Sequence, residues 1–146
     1  MPLKDKTLVI TGAAGGLGRE VVRVAREQGA NVVLVDIAFP ADTEGDTLNL
    51  NLTDSEAVNA AIAGLGRIDG LINVAGGFDM GPTLYETSSD DWDKMFAINV
   101  STAKNMISAV VPKMITQGRG TVVNVGAFGA LTGSANMSAY CASKSV

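Results

Sequence analysis

Thr11-Gly12-Ala13-Ala14-Gly15-Gly16-Leu17-Gly18 follows a short apolar run, Leu8 to Thr11, and opens into a helical pattern, so it reads as a strand-to-helix turn. Glycine serves two purposes there. A tight turn requires positive φ, and a Cβ would keep an anion from approaching the backbone at the helix N-terminus. Alone, the string also fits a plain glycine-rich turn, so its surroundings decide. Four more apolar, mostly β-branched runs follow: Asn31 to Asp36, a weaker Thr47 to Leu52, Gly70 to Val74, and Thr121 to Val125.

Helical patterns lie between these runs. The first carries Leu17, Val21, Val24, Ala25 and Gln28 on one face, with Gly29 as the C′ residue. The second starts at Thr53, where the hydroxyl and Glu56 would form a capping box ahead of the stripe Val58, Ala61, Ile62 and Leu65. The third begins at Ser88 or Ser89, runs through Trp92, Met95, Phe96, Val100 and Ala103, and continues with a kink towards Pro112. Strands alternating with helices imply parallel pairing and right-handed crossovers. The expectation is an α/β fold, a doubly wound parallel sheet of Rossmann type, in one domain spanning 1–146. Ala38 to Asp46 and Gly76 to Thr87 are predicted to be its most flexible parts. A last helix from Ser138 reaches Lys144-Ser145-Val146 without a stop signal. A C-terminally truncated chain is therefore expected, with strands 1–5 present and the last strands missing.

Composition narrows the partners. Hydrophobic residues make up 47% of the 146 and aromatics 5%, so the core must be Val, Ile, Leu, Ala and Met, as in buried parallel sheets. A net charge of -4 without a Lys/Arg cluster argues against nucleic acid and anionic membrane surfaces, leaving a small-molecule substrate as the expected partner. There is no His and a single Cys, Cys141, so one copy can build neither a disulfide nor a Cys/His metal site, and a cytoplasmic setting is expected. The N-terminal MPLKDKTLVITG reads as a first strand rather than a signal peptide. No stretch reaches the ~20 apolar residues of a membrane helix.

Two further features carry chemistry. Asp36 closes the second strand, where a carboxylate can accept from both ribose hydroxyls of an adenosine and repels a 2′-phosphate. Tyr140 and Lys144 are spaced i, i+4 and share one helical face. A phenol ordinarily titrates near ~10, and a neighbouring ammonium favours the phenolate.

The loop Thr11 to Gly18, Asp36, Asn73-Val74-Ala75-Gly76, Asn99 and Tyr140-x-x-x-Lys144 together resemble the short-chain dehydrogenase/reductase family over essentially the whole length. The resemblance implies an NAD(P)-dependent oxidoreductase moving hydride between nicotinamide and a carbonyl, alcohol or quinonoid substrate. It assigns cofactor binding to Gly12, Ala14, Gly15, Gly16, Leu17, Gly18, Asp36, Ile37, Asn51, Leu52, Val74, Ala75, Gly76, Tyr140 and Lys144. By the same resemblance Tyr140 exchanges the proton, Lys144 holds the nicotinamide ribose and favours the phenolate, and Asn99 helps hold a water relay. Asn99 also fits a polar residue distorting its helix, and Asn73 fits a tie between strands. NAD is favoured over NADP because Gly15 and Gly16 stand where NADP users carry a cation and Asp36 is followed by Ile37 and Ala38; Arg19 is the one nearby cation. Family members pair through the long helices after the fourth and fifth strands, so a homodimer or homotetramer is implied for the full-length protein.

Two departures from the family pattern stand out. Asn51-Leu52 replaces the usual Asp-Val at the adenine edge, where the Asn carbonyl can still accept from an adenine amino group. Ala127, thirteen residues before Tyr140, replaces a Ser whose hydroxyl polarises the substrate carbonyl; Ser134 and Ser138 are candidate substitutes. Losing one such donor typically costs ~10²–10³ in rate. Gly126-Ala127-x-x-Ala130-Leu131-x-Gly133, Met137, Tyr140 and Ala75-Gly76-Gly77-Phe78 locally resemble the dihydropteridine reductase branch, whose electron-poor quinonoid substrate needs less polarisation. Ala127 equally suits a nucleotide-binding pseudoenzyme or regulatory module.

Overall fold

The computed structural model describes residues Met1–Val146. Strands β1 (Thr7–Thr11), β2 (Asn31–Asp36), β3 (Asp46–Asn49), β4 (Gly70–Asn73) and β5 (Thr121–Asn124) pair in parallel in the order β3-β2-β1-β4-β5. This is the α/β, doubly wound Rossmann-type sheet that the alternating pattern implies. Side chains alternate between its faces. Val9, Val33, Val35 and Leu71 pack with Val58 and Ile62 of α2 (Ser55–Ala63) and with Met106, Val110 and Met114 of α4 (Thr102–Thr116). On the opposite face Leu8, Ile10, Val32 and Leu34 meet Val22 and Ala25 of α1 (Gly16–Glu27). A strand buried on both faces must read as a continuous apolar run, which is why β1 and β2 were legible as such. No helix is long and apolar enough to cross a membrane.

The predicted buried face of α1 is right at Ala25 and Val21 and wrong at Leu17 and Val24. Leu17 and Val24 are 55% and 45% exposed, while Gly18, Val22 and Ala25, spaced i, i+4, i+7, turn inward. The cause is Gly18, whose missing side chain lets the helix rest directly on the backbone of Gly12 and Ala13. Gly29 does end the helix with φ 89°, as expected of a C′ glycine. The cap of α2 is also corrected by one residue. Asp54 accepts from the N–H groups of Glu56 and Ala57 at 3.1 and 3.0 Å, whereas Thr53 Oγ1 donates to Asn51 Oδ1 at 2.8 Å.

Ser88 caps α3 (Ser89–Phe96) by accepting from Asp91 N–H. The helix then widens into one π turn, Ala97–Ser101, before continuing as α4 straight through Pro112. The irregularity therefore sits around Asn99 and not at the proline. Two short elements have no counterpart in the periodicity: a 3-10 turn at Leu84–Glu86 and the four-residue α5 (Gly129–Thr132). The final helix, α6, spans Ser138–Lys144. At the N-terminal end of the strands, Asp69 accepts from Thr7 N–H and from Arg67, whose guanidinium holds its carboxyl below the usual carboxylate range. All groups discussed next lie at the other end.

Candidate functional site

Around β1 the order of connection reverses, with β2 and β3 on one side and β4 and β5 on the other. Connections leaving the C-terminal ends of β1 and β4 diverge there and leave a crevice. Gly12 opens it. Its φ is +64°, and a Cβ would lie 2.8 Å from Ala75 N, so the two loops touch with no room for a side chain. Thr11 Oγ1 fastens them by accepting from the N–H groups of Val74 and Ala75 at 3.1 Å each. The first amides of α1, from Gly16 onward, then sit at the mouth of the crevice without intrahelical partners.

Asp36 ends β2 beside this loop. Its Oδ2 accepts from Ala14 N–H at 2.9 Å and its Oδ1 from Ile37 N–H at 2.7 Å, so the carboxylate clasps the glycine loop while each oxygen keeps acceptor capacity. Gly12, Ala14, Gly15, Gly16, Leu17, Gly18, Asp36, Val74, Ala75, Gly76, Tyr140 and Lys144 all line one open cleft of about 730 Å³. Ile37, Asn51 and Leu52 line an adjoining hollow of about 150 Å³ that shares Gly12, Asp36, Ala75 and Gly76 with it. Asn51 Oδ1 already accepts from Thr53 N–H and Thr53 Oγ1, which leaves its amide N–H groups as the polar atoms without a partner.

Tyr140 and Lys144 come from α6. Tyr140 carries the one hydroxyl among the cleft-lining side chains, and its ring meets Phe78 edge-on with centroids 5.0 Å apart. Lys144 Nζ donates to the carbonyl of Val125 at 3.3 Å, and burial pushes its ammonium pKa down. Ser134 is exposed on the β5–α6 connection, and Ser138 lines a smaller cavity of about 130 Å³ that shares Tyr140 with the main cleft; neither serine lines the main cleft itself.

Asn99 is placed differently. It is buried in the π turn, where Oδ1 accepts from Gly77 N–H at 2.8 Å while Nδ2 donates to Gly77 O at 3.0 Å and to Ser143 Oγ at 2.9 Å. Ser143 Oγ in turn donates to Tyr140 O at 2.9 Å. The amide thus joins the β4 loop, the helix bend and the Tyr140 helix, and its donors are all used inside the protein. A Cβ on Gly76 would lie 2.7 Å from Asn99 Oδ1 and 3.0 Å from Lys144 Nζ, so a side chain there would have to displace both groups. Asn73 Nδ2 donates to Asn124 Oδ1 at 2.9 Å, the interstrand tie expected of it.

Ser143 escaped the sequence reading, and Gly77 entered it only within the stretch Ala75-Gly76-Gly77-Phe78, without a structural role. Ser143 sits one turn from Tyr140, a spacing that marks it as a neighbour without revealing its partner 44 residues away. Ser143→Ala strands a buried amide N–H of Asn99, and such a group costs about 1–3 kcal/mol. Urea denaturation of the variant is expected to show a stability loss in that range with an unchanged m value; wild-type stability would refute the bridge.

A family model described as short chain dehydrogenase matches residues 6–146. The short chain dehydrogenase adrF of Penicillium rubens is 34% identical over 97% of this chain. Asnovolin H dehydrogenase nvfC of Aspergillus novofumigatus is 36% identical over the same share. In both cases this chain spans 59% of the relative's length. Among solved structures, an NAD+-bound xylitol dehydrogenase superposes with TM-score 0.92 at 29% identity, over 99% of this chain and 62% of its own. The aldohexose dehydrogenase of Thermoplasma acidophilum gives TM-score 0.92 at 27% identity, over 99% and 58%. The chain belongs to the short-chain dehydrogenase family, a family of oxidoreductases.

Proposed function

We propose that the cleft takes a nicotinamide adenine dinucleotide and that Tyr140 exchanges a proton with the oxygen of a carbonyl, alcohol or quinonoid substrate. One observation carries this reading: the glycine loop, Asp36, and the Tyr140/Lys144 pair of α6, drawn from three separate parts of the chain, line a single cleft. The crevice also suits such a group sterically. A Cβ at Gly16 or Gly126 would meet nothing within 4 Å, so the backbone there borders open space, whereas Gly12 has none to spare. The nicotinamide, when bound, gives or takes the hydride. The pyrophosphate belongs over the amides of the Gly12 to Gly18 loop, and Asp36 accepts from the adenosine ribose.

Lys144 lines the same cleft as Tyr140 one helical turn further along α6, placed to hold a ribose hydroxyl. Asn99 fixes Gly77 and Ser143, and through them the spacing of the β4 loop from α6. Ala127 leaves the substrate oxygen without a second hydroxyl donor, which favours an electron-poor acceptor, as in a dihydropteridine-reductase-like reaction. A homodimer or homotetramer of the full-length protein, resting on the family resemblance, and a cytoplasmic setting, resting on the single Cys, complete the reading.

The carboxylate of Asp36 discriminates between the two cofactors. Calorimetric titration is expected to give NADH at least about tenfold tighter binding than NADPH, a difference of ~1.4 kcal/mol. Equal or tighter binding of NADPH removes Asp36 from the ribose site. The absence of heat with either nucleotide removes the proposed function.

A further inference from the structure

We propose that Phe78 is a ring platform that gives this site a preference for flat aromatic or conjugated carbonyl compounds over open-chain ones. The inference rests on the reading of Tyr140 as the group that meets the substrate oxygen. Phe78 lines the same cleft as Tyr140 and Lys144 yet is 62% exposed, an unusual state for a phenylalanine inside a concave site. Its edge meets Tyr140 at an interplanar angle of 77°, so the two rings form a corner instead of covering each other. A planar carbonyl compound with its oxygen at the Tyr140 hydroxyl can lay its ring on this corner; a flexible chain covers less of it and loses rotamer freedom in doing so.

The platform is held in place from behind. Both polar groups of the preceding residue, Gly77, are bonded to the Asn99 amide, and a Cβ there would lie 2.2 Å from Ile98 Cδ1. Phe78 is therefore mounted on a clamped backbone, and a ligand does not have to order it. The surroundings share its character. β4 and β5 end side by side at Asn73 and Asn124, so their following connections emerge together. Those connections carry exposed Met80, Leu84 and Tyr85 on one side and Phe128 and Leu131 on the other. Ala127, next to Phe128, adds a methyl where a hydroxyl would have drawn in polar ligands. Among the side chains lining the main cleft, Tyr140 alone carries a hydroxyl.

Binding can be read without turnover. The chain saturated with NAD+ is titrated calorimetrically with indanone, a flat aromatic ketone, and with dibutyl ketone, its open-chain counterpart of equal carbon number; the oxidised cofactor can reduce neither. Indanone is expected to bind about tenfold more tightly, in line with aromatic packing added to area burial. Phe78→Leu, at an exposed position that leaves the core untouched, should weaken indanone about tenfold and leave dibutyl ketone unchanged. Phe78→Trp should keep the preference. A wild type that binds both ketones equally or binds neither, or a preference that survives Phe78→Leu, overturns the platform while leaving the cofactor site intact. Loss of NAD+ binding itself overturns the underlying reading and this one with it.

Discussion

Tyr140→Phe in the full-length protein is expected to lower turnover by about 10³-fold at saturating cofactor and substrate, within the ~10²–10⁴-fold range that a positioned general acid or base contributes. The substitution removes one oxygen and nothing else. The ring that packs edge-on against Phe78 stays, as does the backbone carbonyl of Tyr140 that accepts from Ser143. No hydrogen bond within the protein involves the phenolic oxygen, so the fold has no reason to notice its loss. NADH affinity should therefore stay within about twofold of wild type, because the glycine loop and Asp36 carry it. The two measurements separate roles: a drop in turnover with intact affinity places Tyr140 at the proton. If steady-state assays show Tyr140→Phe turning over at the wild-type rate, proton exchange belongs to another group. Ser138, which lines a smaller cavity together with Tyr140, is then the next hydroxyl to substitute.

What the sequence revealed and what it hid divide along physical lines. The sheet, the glycine loop, Asp36 and the Tyr140/Lys144 pair are legible because each is a local pattern: an apolar run, a turn, a strand end, an i, i+4 spacing. Properties set by contact with distant chain are not. The apolar arc of α1, Leu17, Val21, Val22, Val24 and Ala25, is wider than the stripe it buries, so periodicity gives the side but not which part of it turns inward. The decision falls to a glycine with no side chain to count. Thr53 and Asp54 are both good caps, and the choice is made when Asn51 engages the threonine hydroxyl. Asn99 is the clearest case. Helix distortion could be anticipated from a polar residue in an apolar stretch, but its partners at Gly77 and Ser143 lie 22 and 44 residues away. The edge-on packing of Phe78 with Tyr140 likewise joins the connection after β4 to α6, which only the fold brings together.

Gly18→Ala tests how the site depends on that fold, and a single methyl is expected to undo both. The new Cβ would lie 1.9 Å from Gly12 O, 2.7 Å from Gly12 C and 2.9 Å from Ala13 Cα. All three are backbone atoms, so no rotamer change relieves the overlap. Either α1 lifts from the sheet, opening the contacts of Val22 and Ala25 with Leu8, Ile10, Val32 and Leu34, or Gly12 leaves the positive-φ turn that seats it against Ala75. Overpacking of this kind costs about 3 kcal/mol or more, a fall in Tm of roughly 10 °C for a domain of this size. Either escape also moves the first amides of α1 relative to the crevice, so NADH binding should weaken at least about a hundredfold, ~2.7 kcal/mol. Gly16→Ala separates the two effects. A Cβ there meets nothing within 4 Å, and alanine suits a helix better than glycine, so its Tm should match or slightly exceed wild type. Its methyl nevertheless projects from a residue lining the cleft, so any loss of NADH affinity with an unchanged Tm reports crowding of the pyrophosphate alone. Thermal melts in which Gly18→Ala and Gly16→Ala behave alike would mean that the approach of α1 to Gly12 does not govern this fold.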